Sequence, residues 1–176
     1  KIIKINQLYF WHKQSERKKL KLIIGNKETE TVKCQIMIRK PIEKVFEAFI
    51  DPKITTNFWF TKSSGKLEKG KTIKWEWGMF GHSTEVTVKN ISENKKIAIE
   101  WDKPSTNVDF EFEKLSDNQT YVTIKHYGFN NTGDKLIESI KDNTGGFTTV
   151  LDGLKAYLEH NINLNLIKDK YPQKLK

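Results

Sequence analysis

Six short runs in this chain alternate apolar and polar residues with a period of two, and that repeat constrains the fold more than any other feature. Val32, Cys34, Ile36 and Ile38 form the first run. Ile73, Trp75 and Trp77 form the second, and Val86 and Val88 the third. Ile97, Ile99 and Trp101 follow, then Val108, Phe110 and Phe112, then Val122 and Ile124. Strict alternation marks a strand with one face buried and one wet. Turn residues at 78–81, 92–94, 102–107 and 116–118 separate the later runs, so those strands are antiparallel neighbours.

A different period brackets the strands. Val45, Phe46 and Phe49 follow Pro41 at helical spacing up to Asp51-Pro52, and a second short helical stretch covers Ile54 to Phe60. Near the end, Leu136, Ile140, Phe147, Leu151, Leu154 and Leu158 recur at three- and four-residue steps. Gly145-Gly146 is expected to break or kink this stretch, leaving a long helix from 146 to 166. The predicted class is α+β: a strand, two short helices, about six antiparallel strands, then a long C-terminal helix on the concave sheet face. A helix with one apolar stripe buries it against the apolar face of the sheet. Bulky rings on that face hold helix and sheet apart, which predicts a hollow between them.

The chain has 176 residues, enough for one domain, and a net charge of +9. Residues 1–40 hold 11 basic and 3 acidic residues, whereas residues 41–167 hold 16 and 18. The excess sits at the ends, so a phosphate-tracking surface on the folded body is not expected, and nucleic acid is excluded as a partner. The expected organisation is a basic extension over 1–30, a domain over 31–168 and a basic tail over 169–176. No apolar run is long enough to span a membrane, and Lys1-Ile2-Ile3-Lys4 has no signal-like apolar core. The chain does not open on Met, so it reads as trimmed. A single cysteine, Cys34, permits no internal disulfide and suits a cytoplasmic setting.

Catalytic motifs are sparse. Gly65-Lys66-Leu67-Glu68-Lys69-Gly70-Lys71-Thr72 matches the phosphate-loop pattern letter for letter. That motif works only where it opens a helix, and here Ile73 to Trp77 continues as a strand. The histidines at 12, 82, 126 and 160 are scattered and Cys34 has no partner at ligand spacing, so no metal or cofactor is expected. His82 and Ser83 are adjacent and point to opposite faces, so they form no catalytic pair. Glu76, Glu100, Asp109, Glu111 and Glu113 take the opposite parity from the rings and are expected to line the wet face with lysines. His126 alone shares the inward parity. It is either a polar anchor or acid/base in the hollow, or a core-edge histidine bonded to the backbone. Trp59 and Phe60 either gate the hollow or pack a short helix onto the sheet.

The stretch Pro41-Ile42-Glu43-Lys44-Val45-Phe46-Glu47-Ala48-Phe49 with Asp51-Pro52 resembles the opening of SRPBCC (START-like) domains. Phe58-Trp59-Phe60, Gly65, Leu67, Gly70 and Trp75 resemble the Aha-type branch more narrowly, as do His126-Tyr127-Gly128-Phe129 and Gly145-Gly146-Phe147 with Leu151 and Leu154. That branch comprises homologues of the C-terminal domain of the activator of heat-shock protein 90 ATPase. The resemblance covers roughly 31–166, and Phe147 stands where the family usually has Trp. It implies the helix-grip fold, a hydrophobic pocket under the C-terminal helix and a bacterial, stress-related setting. The expected function is binding of a small hydrophobic or aromatic ligand. The expected lining is Phe49, Trp59, Phe60, Trp75, Trp77, Phe80, Trp101, Phe110, Phe112, His126, Phe147 and Leu151. The alternatives are a cyclase- or hydrolase-like enzyme using His126, and a co-chaperone-like protein partner; a homodimer stays open. No catalytic group is assigned beyond the candidate His126.

Overall fold

The structure is a computed structural model and describes residues 30–102, 104–170 and 172. The basic extension, apart from Glu30, lies outside the described residues, as does most of the tail.

The chain runs β1 (Val32–Ile38), α1 (Ile42–Ile50), α2 (Pro52–Thr55), β2 (Lys62–Ser63), β3 (Thr72–Trp77) and a 3-10 turn (Gly78–Phe80). It continues through β4 (His82–Ser92), β5 (Lys96–Trp101), β6 (Thr106–Ser116), β7 (Gln119–Tyr127), α3 (Gly133–His160) and α4 (Leu166–Lys170). The seven strands form one sheet in the order β1-β7-β6-β5-β4-β3-β2. Every neighbouring pair is antiparallel. β1 is the one strand out of chain order, because α1 and α2 carry the chain across to the far edge before the meander begins.

The register places the inward rings in rows. Val32 and Val108 flank His126, and Cys34 and Phe110 flank Ile124. Trp75, Phe110 and Ile124 are fully buried, as alternation requires. On the other face Lys89 pairs with Glu100 at 2.9 Å and Lys125 with Glu111 at 2.7 Å. Asp109 corrects the expectation of a solvated acid. It is on the outer face yet only 6% exposed. Lys96 Nζ at 2.7 Å and the Tyr127 hydroxyl at 3.3 Å close over its Oδ2. Burial, and then Asp109, push the Tyr127 phenol above its ordinary range.

The helices start and stop for local reasons. Asp51 Oδ1 accepts from Lys53 N at 2.9 Å, and Pro52 opens α2 with its fixed φ. The second helical stretch was expected over 54–60; it ends at Thr55, and turn hydrogen bonds carry the chain on to Trp59. The break expected at Gly145-Gly146 is absent, and α3 is one 28-residue helix. Each glycine costs about 1 kcal/mol against Ala, an amount that burial of the stripe Phe147, Val150, Leu151 and Leu154 outweighs. The helix ends six residues short of the expected 166, because Asn161 turns left-handed at φ 56. Asn161 N and Ile162 N then donate to the carbonyls of Tyr157 and Ala156. α4 runs through the expected boundary at 168, carrying Asp169 and Lys170 in a helical turn.

Gly153 sets how closely α3 sits. A Cβ there would lie 3.0 Å from Phe58 O and 3.3 Å from Phe58 Cβ. Only a glycine lets the helix backbone meet the turn after α2 at that distance.

Candidate ligand-binding cleft

The inner-face rings meet one another. Trp75 lies 4.8 Å from the stacked ring of Phe60, 4.9 Å from Trp59 and 5.6 Å from Trp101. Phe49 joins Phe110 at 5.1 Å and Phe112 at 5.4 Å. These are the separations at which aromatic pairs attract. The rings therefore occupy much of the space between helix and sheet, and Phe49, Phe60, Trp75, Phe110, Phe112 and Leu151 pack as core.

An open cleft of about 240 Å³ remains at the end of the sheet. Trp77, His82 and Trp101 line it from the sheet, Phe80 from the 3-10 turn and Trp59 from the segment after α2. Asn143, Gly146, Phe147 and Val150 line it from α3 and Ile167 from α4, and the exposed Asp102 and Asp142 complete the lining. Of the twelve residues singled out in the sequence, Trp59, Trp77, Phe80, Trp101 and Phe147 meet here. A second hollow of about 280 Å³ lies across Trp59 and Ile167, between the 56–61 turn, with Phe60, and residues 163–168.

Several cleft residues went unread. Asn143, Gly146 and Val150 share the face of Phe147 at three- and four-residue steps, a signal lost by breaking the helix at the glycines. His82 pairs across the ladder with Trp77, their rings 5.8 Å apart. Asp102 sits in a turn at φ 63, where Thr84 Oγ1 donates to its Oδ1. Nothing local in the sequence announces that carboxylate.

His126 is 6% exposed and lies beneath Trp101, with Phe147 5.6 Å away in edge contact and Phe129 at 4.6 Å. Its Nε2 meets Thr106 Oγ1 at 2.7 Å. The same hydroxyl lies 3.1 Å from Trp101 O. Among the described residues no donor or acceptor meets Nδ1 in hydrogen-bond geometry. The Asn143 amide lies beside the ring with its nitrogen committed to Ser139 O at 2.8 Å. Burial pushes the imidazole down from 6.5 to about 4, against weaker pulls from Asn143 and Asp102. His126 is thus neutral at physiological pH.

The phosphate-loop look-alike turns at Gly70, φ 81, and enters β3 rather than a helix. Among the described residues no group of three or more His, Cys, Asp or Glu could hold a metal ion, and no helix is long and apolar enough to cross a membrane.

An open antiparallel sheet wrapped on one long C-terminal helix, with a cleft at the sheet end, defines the α+β helix-grip class. Within it the chain belongs to the Activator of Hsp90 ATPase homolog 1-like family, the Aha-type branch of the SRPBCC proteins, whose profile matches residues 39–159. Three solved structures illustrate the likeness. Protein SSP2350 from Staphylococcus saprophyticus is 27% identical at a TM-score of 0.68, over 77% of this chain and 96% of that one. The Aha1 dimer from Colwellia psychrerythraea is 23% identical at 0.64, over 74% and 97%. PFC0360w, an HSP90 activator from Plasmodium falciparum, is 19% identical at 0.57, over 73% and 95%. No curated protein matches the chain.

Proposed function

We propose that the cleft binds one small apolar or aromatic molecule between the β3–β4–β5 end of the sheet and α3. One observation carries this reading: rings from the segment after α2, from β3, from β5 and from α3 converge on a space that they leave open, beside a core they otherwise fill. The volume falls just under the usual range for ligand pockets of ~300–1,000 Å³, which suits a small occupant.

Thermal melts against a broad panel of aromatics and short lipids test it. A ligand at a hundred times its dissociation constant stabilises by about 2.7 kcal/mol. Gly146→Phe supplies the control. A Cβ at Gly146 meets nothing within 4 Å, so the added ring occupies the cleft. The variant is expected to fold and to lose every ligand-induced shift. A panel that leaves the melting temperature unmoved removes the proposal.

Enzymatic use of His126 fits the geometry less well. The ring lies under Trp101 and Phe147 rather than among the residues lining the cleft. Its proposed role is to prop Trp101 from below. The family description supports a protein-partner reading as the second one, and the names of the Colwellia and Plasmodium neighbours fit it. Pull-down with Gly146→Phe separates the two: a partner surface survives a filled cleft, and a ligand site does not.

A further inference from the structure

The charge of the cleft is opposite to the charge of the chain. Lys and Arg outnumber Asp and Glu by 31 to 22. Yet among the described residues lining the cleft the charged side chains are Asp102 and Asp142; Lys170, which donates to Thr149 Oγ1 at 3.0 Å, is not among them. The two carboxylates come from different elements, the turn after β5 and α3, and both are exposed. The Thr84 hydroxyl bond holds Asp102 where it stands.

The ring faces agree in sign with the carboxylates. Trp77 and Trp101 are almost parallel, 14° apart in plane with centroids at 6.4 Å. Trp59 inclines to Trp101 by 52° at 5.8 Å. An indole presents negative potential over its face and attracts a cation within ~6 Å of its centroid. Trp59, Trp77 and Trp101 all line the cleft, so a charge held there lies within reach of three indoles. A neutral occupant would leave this potential unused, and an anion would be repelled by both carboxylates.

Resting on the reading that the cleft takes a ligand, we infer that it selects an organic cation: an ammonium group carried on a small apolar or aromatic body. The apolar body packs on Phe147, Val150 and Ile167, and the charge lies among the indoles below Asp102 and Asp142.

Three molecules of one size and three charges test this: benzylammonium, benzyl alcohol and benzoate. Each is titrated into the full chain, with NMR shifts of the indole N–H protons as readout. Benzylammonium is expected to bind at least ~10-fold more tightly than benzyl alcohol, with benzoate weakest. Trp77 and Trp101 should shift most. The double variant Asp102→Asn, Asp142→Asn should bring the cation close to benzyl alcohol, the readout being the ratio of the two affinities. Equal or tighter binding of benzyl alcohol overturns the inference while the ligand-binding reading stands. A cation preference that survives the double substitution overturns it too, because the charge would then be read elsewhere. Failure of all three probes overturns it where the melting panel yields a neutral ligand. If the panel also fails, the underlying reading falls with it.

Discussion

Replacing Phe147 by Ala removes the ring that joins α3 to the sheet. Phe147 is 3% exposed. It makes edge contacts with Trp101 at 5.7 Å, His126 at 5.6 Å and Trp59 at 6.2 Å. Truncating a buried Phe to Ala costs about 3–5 kcal/mol, part from lost transfer energy and part from the void left behind. One flank of this ring borders the open cleft. The void therefore opens partly to water, which places the expected loss near the low end, about 3 kcal/mol. Urea unfolding followed by far-UV circular dichroism measures it. With a slope of ~2 kcal/mol/M the midpoint falls by roughly 1.5 M. Phe147→Leu keeps most of the volume and should lose no more than about 1.5 kcal/mol. An Ala variant within about 1 kcal/mol of the parent would refute the reasoning, since the grip of sheet on helix would then not pass through this ring.

Two further outcomes follow from the same packing. His126 falls from 6.5 to about 4 through burial, so the unfolded chain binds a proton that the folded one refuses. Its contribution is complete above pH 6.5 and lost as pH drops toward 4, about 3 kcal/mol in all. His126→Phe should flatten that part of the stability curve, and a His126 imidazole NMR resonance, assigned by its loss in His126→Phe, that titrates near 6.5 in the folded protein would contradict the burial argument. Gly153→Ala drives a Cβ to 3.0 Å from a backbone carbonyl and should cost about 1–3 kcal/mol. Gly146→Ala meets open space and should gain up to about 1 kcal/mol. Melting temperatures for the pair check both, and equal values would contradict the close approach of α3 to Phe58.

What could be read from sequence was whatever depends on near neighbours. The parity of Trp75, Phe110 and His126 comes from the strand period alone, and their inward facing is as expected. The order of elements followed from the change of period at Pro41 and after Tyr127. What depends on distant contacts stayed hidden. That Phe60, Trp59 and Trp101 close on Trp75 and occupy much of the expected hollow requires positions from three separate segments. The unbroken helix through Gly145-Gly146 is a tertiary outcome: local propensity argues against it and the buried stripe overrides it. Asp109 reads as a surface acid until Lys96 and Tyr127 are seen to close over it.

Four of the chain's five tryptophans belong to the ring cluster, within 4.9 to 6.4 Å of one another along the chain of contacts Trp75–Trp59–Trp101–Trp77. The fifth, Trp11, lies outside the described residues. At such distances the indole excited states couple, so the described tryptophans give one shared exciton signal. The molecule thus carries its own optical reporter, already installed around the cleft and needing no label.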